Sequence, residues 1–269
     1  MDKEKLDAFK AYLQEEELSE NSIESYIFSV SSFFQKYKVA DKTSLIQWKQ
    51  ELMKQNSPKT VNLRLCAMER WLKFDNSKIG KIKRVRYQKS TTVENAMDIE
   101  NYNKLIEGLE QDANYKWIAY YKLLALTGAR ISEALCLTKA DLDRGFAELF
   151  TKGKIRRIYI PQKLLEENRE VWKDLSPDDH LITNKYGKRI TSRGIAAMMQ
   201  SHAIKYGIPK EKMHPHAFRH LFAIEFLKRN KDISLLADLM GHSGVNTTMI
   251  YTRRSEKEQK ELFNSTVDW

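Results

Sequence analysis

Apolar residues in the first 77 positions recur every three or four residues and predict four helices. One spans about 3–16. A second opens at Ser19, whose hydroxyl suits a helix N-cap, and lines up Ile23, Tyr26, Ile27, Val30, Phe33 and Phe34 on one face. A third runs from about 43 to 55. "SPKT" starts the fourth, with Ser57 as cap and Pro58 at the first helical position, where a missing N–H costs nothing. Val61, Leu65, Met68 and Leu72 form its apolar face, and the whole aromatic and aliphatic stripe reads as a helical core.

The pattern breaks at "KIGKIKRVRYQK", residues 78–89, and "STTVENAM" after it is polar and without period. Residues 78–96 are therefore expected to link two domains, 1–77 and 97–269. Helical spacing resumes in "DIENYNKLIEGLE", in "NYKWIAYYKLLALTG", which Gly128 ends, and in "RISEALCL". "FAELFTKGKIRRIYIP" instead places short apolar runs on either side of a glycine-containing turn, the mark of a β-hairpin closed by Pro161. Helices at about 162–173, 192–206, 215–229 and 233–240 follow, then a polar tail. The expected fold class is mainly α, in two domains, with a small antiparallel β-sheet set into the C-terminal one.

Composition narrows the setting. No apolar run approaches the roughly 20 residues that span a bilayer, and "MDKEKLDAFK" lacks the form of a secretory signal. Cys66 and Cys136 lie far apart on amphipathic stretches, which fits small core residues in a reducing, cytoplasmic environment. The net charge of +10 is unevenly placed. Residues 1–77 carry 12 Lys/Arg against 12 Asp/Glu, residues 78–89 carry 6 against none, and the remainder 28 against 24. Such a run is either a solvated linker or a contact for a polyanion.

"HPHAFRH", residues 214–220, holds three of the six histidines. His216 and His220 have the spacing of two zinc ligands on a helix, yet Ala217 stands where a zinc protease needs glutamate, and Arg219 places a fixed positive charge between them. A phosphate suits the stretch better. On a helix starting near Pro215, with about 100° of rotation per residue, His216, Arg219 and His220 share one side while Phe218, Leu221 and Phe222 take the other. The donors lie in the first turn or so, where the helix N-terminus also attracts an anion. His220, at the edge of the packed side, either joins the site or bonds a backbone carbonyl.

Arg130 follows the helix-ending Gly128 and precedes a new helix start, with Glu133 three residues on and on the same face. His242 follows Gly241 in "MGHSGVNTTMIYTR", and Tyr251 stands nine residues later. Taken together, "TGARISEALCL", the lysine of "TKGK", "HAFRH", "MGHS" and that tyrosine resemble the tyrosine recombinases, the phage integrase and Xer-like family. "LSENSIESYIFSVSSFF" is similar to the same family's core-binding domain, so the resemblance covers nearly the whole chain.

The resemblance implies a role for each matching residue. Arg130 and Arg219 would hold the non-bridging oxygens of one DNA phosphodiester, with His216 and His242 completing the cradle and His216 the family's candidate general base. Tyr251 would attack phosphorus to form a 3′-phosphotyrosyl link, Lys152 would protonate the departing 5′-oxygen, and Glu133 would orient its neighbours, with His220 in support. Donors of this kind stabilise charge at phosphorus without a metal, and exchanging one phosphate ester for another needs no ATP, so no cofactor is expected. No GxxxxGK[ST] phosphate loop occurs in the chain.

The basic stretch then reads as a contact for duplex DNA through Lys78, Lys81, Lys83, Arg84, Arg86 and Lys89. The resemblance further implies a C-shaped clamp, a homo-tetramer on two duplexes and possible accessory recombination proteins, with no membrane association. The chain starts almost directly with core-binding helices, which favours a simple Xer-like recombinase over an integrase with an added arm-binding domain. Its tail, with Leu262, Phe263 and Trp269, either packs on its own domain or docks on a neighbouring subunit. Two other readings remain: a type IB topoisomerase-like enzyme that nicks and reseals, and a DNA-binding protein of this fold without turnover.

Overall fold

The computed structural model describes residues 3–87, 95–151, 154–242, 244–252, 260 and 263–267. The chain forms two compact units, residues 1–89 and 90–269.

Four helices build the first unit: α1 (Lys3–Glu15), α2 (Glu20–Lys36), α3 (Lys42–Gln55) and α4 (Pro58–Phe74). Asp41 and Ser44 cap α3 reciprocally, each side chain accepting the other's backbone N–H. Ser57 caps α4 as its sequence predicts, accepting from the Thr60 N–H at 3.3 Å. Ser19 does not cap α2; its hydroxyl pairs with that of Ser22 at 2.9 Å. The predicted stripe is the core: Ile23, Val30, Phe33, Val61, Leu65 and Met68 are fully buried. Phe33 meets Trp48 edge to face at 5.3 Å between ring centroids, a geometry that suits the aromatic quadrupoles.

The basic segment differs from its expectation as a free linker. Ile79, Ile82 and Val85 turn toward the first unit's core, so the described part, 78–87, packs as part of that unit. A period of three escapes a search for helical or strand spacing, and the segment forms neither helix nor strand. Asn62 fastens the segment, its Nδ2 donating to the Val85 carbonyl at 2.9 Å and its Oδ1 accepting the Val85 N–H at 2.8 Å. Lys78, Lys81, Lys83 and Arg86 are exposed. Arg84 is half-buried, its guanidinium taken up by the Glu69 carboxylate and the Asn62 carbonyl. Lys89 lies outside the described residues.

The second unit opens with α5 (Ile99–Gln111), α6 (Tyr115–Thr127), α7 (Ile131–Ala134) and α8 (Lys139–Arg144). Strands β1 (Phe146–Thr151) and β2 (Lys154–Tyr159) follow, paired antiparallel with Phe146 opposite Tyr159 and Phe150 opposite Ile155. Then come α9 (Gln162–Glu167), α10 (Arg169–Trp172), α11 (Ser192–Lys205), α12 (Pro215–Arg229) and α13 (Ile233–Met240), with short 3-10 turns at 210–212, 245–247 and 249–251. The helix expected over 162–173 is broken at Asn168, whose side chain donates to the Leu164 carbonyl at 2.9 Å. α6 crosses the core with Ile118, Tyr121 and Leu124 buried, and packs on α12 through Tyr121 stacked on Phe218 at 5.1 Å. Among the described residues no helix is long and apolar enough to cross a membrane.

Candidate active site

The site grows from three chain reversals. α6 ends at Gly128, whose φ of +59° lies in the left-handed region and where a Cβ would fall 2.4 Å from the Phe222 ring. A side chain there would be strained in φ and would press on the Phe222 ring of α12. Two residues on, Arg130 stands at the N-cap of α7 with 37% of its side chain exposed. α13 ends at Gly241 in the same left-handed conformation, and its missing Cβ leaves room for the Arg156 side chain, which a Cβ would meet at 2.4 Å.

The last carbonyls of a helix lack intrahelical partners and carry the negative end of its dipole. At the C-terminus of α13 three consecutive carbonyls each receive one guanidinium. Arg156 Nη2 donates to Leu239 at 3.0 Å, Arg219 Nη2 to Met240 at 2.6 Å, and Arg130 Nη2 to Gly241 at 2.9 Å. Arg219 also donates through Nη1 to the Gly128 carbonyl at 2.5 Å, which ties the ends of α6 and α13 to α12.

One carboxylate serves this group. Glu133, with 4% of its side chain exposed, accepts the Arg130 N–H at 2.7 Å and Arg130 Nη1 at 2.8 Å, and pairs with Arg156 Nη1 through both oxygens. Burial pushes its pKa up, but the Arg130 N–H, the Arg156 charge and the Arg130 guanidinium outweigh it and hold the carboxyl below its ordinary range. Burial, helped by Arg156 and Arg130, brings Arg219 down to about 10, so it stays charged at neutral pH. Three cations around one anion leave a positive excess in a largely buried place, the electrostatic form of an anion site.

Two histidines are held as neutral imidazoles. Arginine can only donate, so the 3.0 Å contact from Arg219 Nη2 makes His242 Nε2 an acceptor. His242 Nδ1 then carries the proton and donates to the fully buried Thr248 hydroxyl at 2.8 Å. Burial first, then Arg219, Arg130 and Arg156, bring His242 down to about 4. His220 Nδ1 lies 2.7 Å from the Tyr251 hydroxyl, with ring centroids 5.5 Å apart. Burial first, then His216, His214 and Arg219, bring His220 to about 4 as well. Tyr251 packs beside Ala223, Leu236 and Met240, and burial pushes its phenol up to about 12 against the opposing charge of Arg219.

His214 caps α12, its Nδ1 accepting the Ala217 N–H at 3.2 Å, and Pro215 takes the first helical position. His216 is exposed, with its ring 6.3 Å from that of His220; partial desolvation lowers its pKa, with Arg219, His214 and Arg130 adding to the effect. The structure thus brings together Arg130, Glu133, His216, Arg219, His220, His242 and Tyr251. Lys152 lies outside the described residues.

Sequence reasoning missed Arg156 and Thr248. Arg156 carries a usable signal, since it shares strand parity with the buried Ile158 and so faces inward as a charge on the core side of β2. Thr248 in a polar turn carries none.

Fold and site together define a tyrosine recombinase. Residues 95–258 match the Phage integrase family, and the chain belongs to that family. It is similar over nearly its whole length to the tyrosine recombinase XerA of Pyrococcus furiosus, with 29% identity across 96% of this chain and 92% of that protein. The tyrosine recombinase XerC of Actinobacillus pleuropneumoniae is 29% identical across 77% of this chain and 72% of its own. Among solved structures, a lambda integrase dimer bound to a COC' core site shares the fold at a TM-score of 0.74 and 13% identity, covering 99% of this chain and 96% of that one.

Proposed function

We infer that the protein is a site-specific DNA recombinase that cuts and rejoins strands through a covalent 3′-phosphotyrosyl intermediate. The observation that carries this reading is the seating of three guanidiniums on three consecutive carbonyls of one helix end, beside a tyrosine whose hydroxyl an imidazole holds.

In this reading Arg130 and Arg219 hold the scissile phosphate. Both are anchored at one edge by carbonyls, so their orientation is set before DNA arrives, and transition-state charge meets donors that need no rearrangement. Glu133 aims Arg130. His242 keeps Arg219 in place through its Nε2, and His216 faces the phosphate from α12. Tyr251 is the nucleophile, and Lys152 supplies a proton to the leaving 5′-oxygen. A phenol held near 12 is inert at neutral pH, so attack needs both the cations and a proton acceptor.

Duplex DNA is the partner, with the exposed Lys78, Lys81, Lys83 and Arg86, and Lys89, on its backbone. Arg84, already bonded to Glu69 and Asn62, serves the unit's own structure instead. Integration, excision or dimer resolution is the task, carried out in the cytoplasm by a homo-tetramer on two sites, with accessory recombination proteins. Membership of the Phage integrase family and the similarity to Xer recombinases support these finer statements.

The test is a search for protein that stays on DNA through denaturing electrophoresis, in EDTA and without ATP. Native protein should yield an adduct from a random duplex pool, and Tyr251→Phe should bind duplex yet yield none. An adduct that survives Tyr251→Phe would place the nucleophile elsewhere.

A further inference from the structure

We propose that His220, and not His216, takes the phenolic proton of Tyr251 when the tyrosine attacks DNA. The inference rests on Tyr251 being the nucleophile. Among the described residues the hydroxyl of Tyr251 is hydrogen-bonded to His220 Nδ1, at 2.7 Å, and not to His216. In the tautomer that carries its proton on Nε2, the Nδ1 lone pair accepts from the phenol, and at that distance the two form a ready transfer pair. The acceptor is preset, because the α12 backbone carries His220 and the 3-10 turn 249–251 brings Tyr251 to it, with Ala223, Leu236 and Met240 packed against Tyr251.

The step balances without a further reactant. The phenolic proton passes to His220 Nδ1 as the Tyr251 oxygen forms its bond to phosphorus. The bond from phosphorus to the 5′-oxygen breaks, and that oxygen leaves as a hydroxyl with a proton from Lys152. In religation the 5′-hydroxyl gives its proton back to Lys152 as it attacks phosphorus, the phosphotyrosyl bond breaks, and His220 returns the proton to Tyr251.

The surroundings of the pair explain why the tyrosine is quiet without DNA. His220 faces His214, His216 and Arg219 on its own helix, Tyr251 on the 3-10 turn, and His242 after α13. Burial and the positive neighbours keep His220 a weak base while burial keeps the phenol a weak acid. A phosphodiester in the arginine cradle brings a negative charge that offsets Arg219 and its neighbours. It strengthens His220 as a base only when substrate is present, so the same charge that the arginines bind also arms the acceptor.

The experiment measures the rate of adduct formation against pH, on the duplex that native protein selects from a random pool, synthesised with oxygen or with sulfur at the bridging 5′ position. Sulfur leaves without a proton, so it restores variants lacking the acid and not variants lacking the base. His220→Asn, whose amide accepts a hydrogen bond but takes no proton, should be slower by about 10²-fold or more on both substrates. It should lose the rise of rate with pH that native protein shows, while duplex affinity is kept. His220→Ala should be rescued by free imidazole in its neutral form. Lys152→Ala should be slow on oxygen and restored on sulfur. A normal rate and pH profile in His220→Asn, or loss of the pH-dependent rise in His216→Asn instead, would overturn the proposal while leaving Tyr251 as nucleophile. No adduct with native protein would overturn the nucleophile and the proposal together.

Discussion

The Arg156 guanidinium lies on the Glu133 carboxylate, both side chains almost fully buried, and the same carboxylate holds the more exposed Arg130. An almost fully buried strand residue thus sets the aim of the arginine proposed to hold the phosphate. It also links strand β2 to the end of α13 through Leu239. Three separate stretches of chain are fixed to one another by this pair.

Removing one member of a buried pair costs more than removing both, because the survivor is left charged and without its partner. Arg156→Met should destabilise the protein by about 3–5 kcal/mol in urea unfolding. Glu133→Gln with Arg156→Met should recover a good part of that loss, and adduct formation should stay impaired in the double variant because Arg130 has lost its guide. Equal losses in the single and double variants would mean that the charge pairing is not what the site depends on.

Arg130 and Arg219 should separate by stability, although both are proposed to serve the phosphate. Each change to alanine should slow adduct formation by about 10²-fold or more, the scale of one lost oxyanion donor. Arg219 is buried and satisfies the Gly128 and Met240 carbonyls, so Arg219→Ala should also cost about 1–3 kcal/mol of stability. Arg130→Ala should cost less, since Arg130 is partly in water. Paired measurements of unfolding and adduct rate decide this; a larger stability loss at Arg130 would reverse the assignment of which arginine is structural.

Much of this was legible before any coordinates. The four helices of the first unit follow from apolar spacing alone, and the Gly128 and Gly241 turns follow from glycine standing where a helical period stops. "HPHAFRH" shows a polar side on a helix, but not that Arg219 would be buried under it; a charged residue with good carbonyl partners defeats a rule that places charge outside. The Tyr251–His220 bond joins residues 31 apart and depends on the 3-10 turns after α13, which have no periodic signal. The packed basic segment was hidden for a related reason, since its period of three matches no regular element that buries one face.

That segment offers a test by division of labour. Changing Lys78, Lys81 and Lys83 to glutamine should reduce the slope of log affinity against log salt for duplex DNA by up to about three units, with unfolding unchanged, since each neutralised phosphate contact releases about one counterion. Arg84→Gln should do the opposite, leaving most of the slope and weakening the first unit, because its bonds are to Glu69 and Asn62. An unchanged slope in the triple variant would return the lysines to a solvating role.

Acid stability follows from the two neutral histidines. His220 and His242 each titrate near 4 in the folded protein, below the ordinary histidine value of 6.5. Between those values the unfolded chain binds protons that the folded chain refuses, so stability is greatest above about pH 6.5 and falls as pH drops toward 4. Below that range both states are protonated at these residues and their contribution levels off. Carboxylates with depressed values act lower: Asp98, brought to about 2 where the Asn101 N–H and Lys212 outweigh its burial, loses its contribution only below its ordinary 3.8. The buried His202, the half-buried His214 and the exposed His216, also lowered, add to the histidine window, so His220→Asn with His242→Asn should flatten the pH dependence of the urea midpoint between 6.5 and 4 without abolishing it. The remaining fall should then shift toward the carboxylate range. A double variant with the native slope would show that these imidazoles accept protons in the folded state, and with that the reading of His242 as an acceptor for Arg219 would fail.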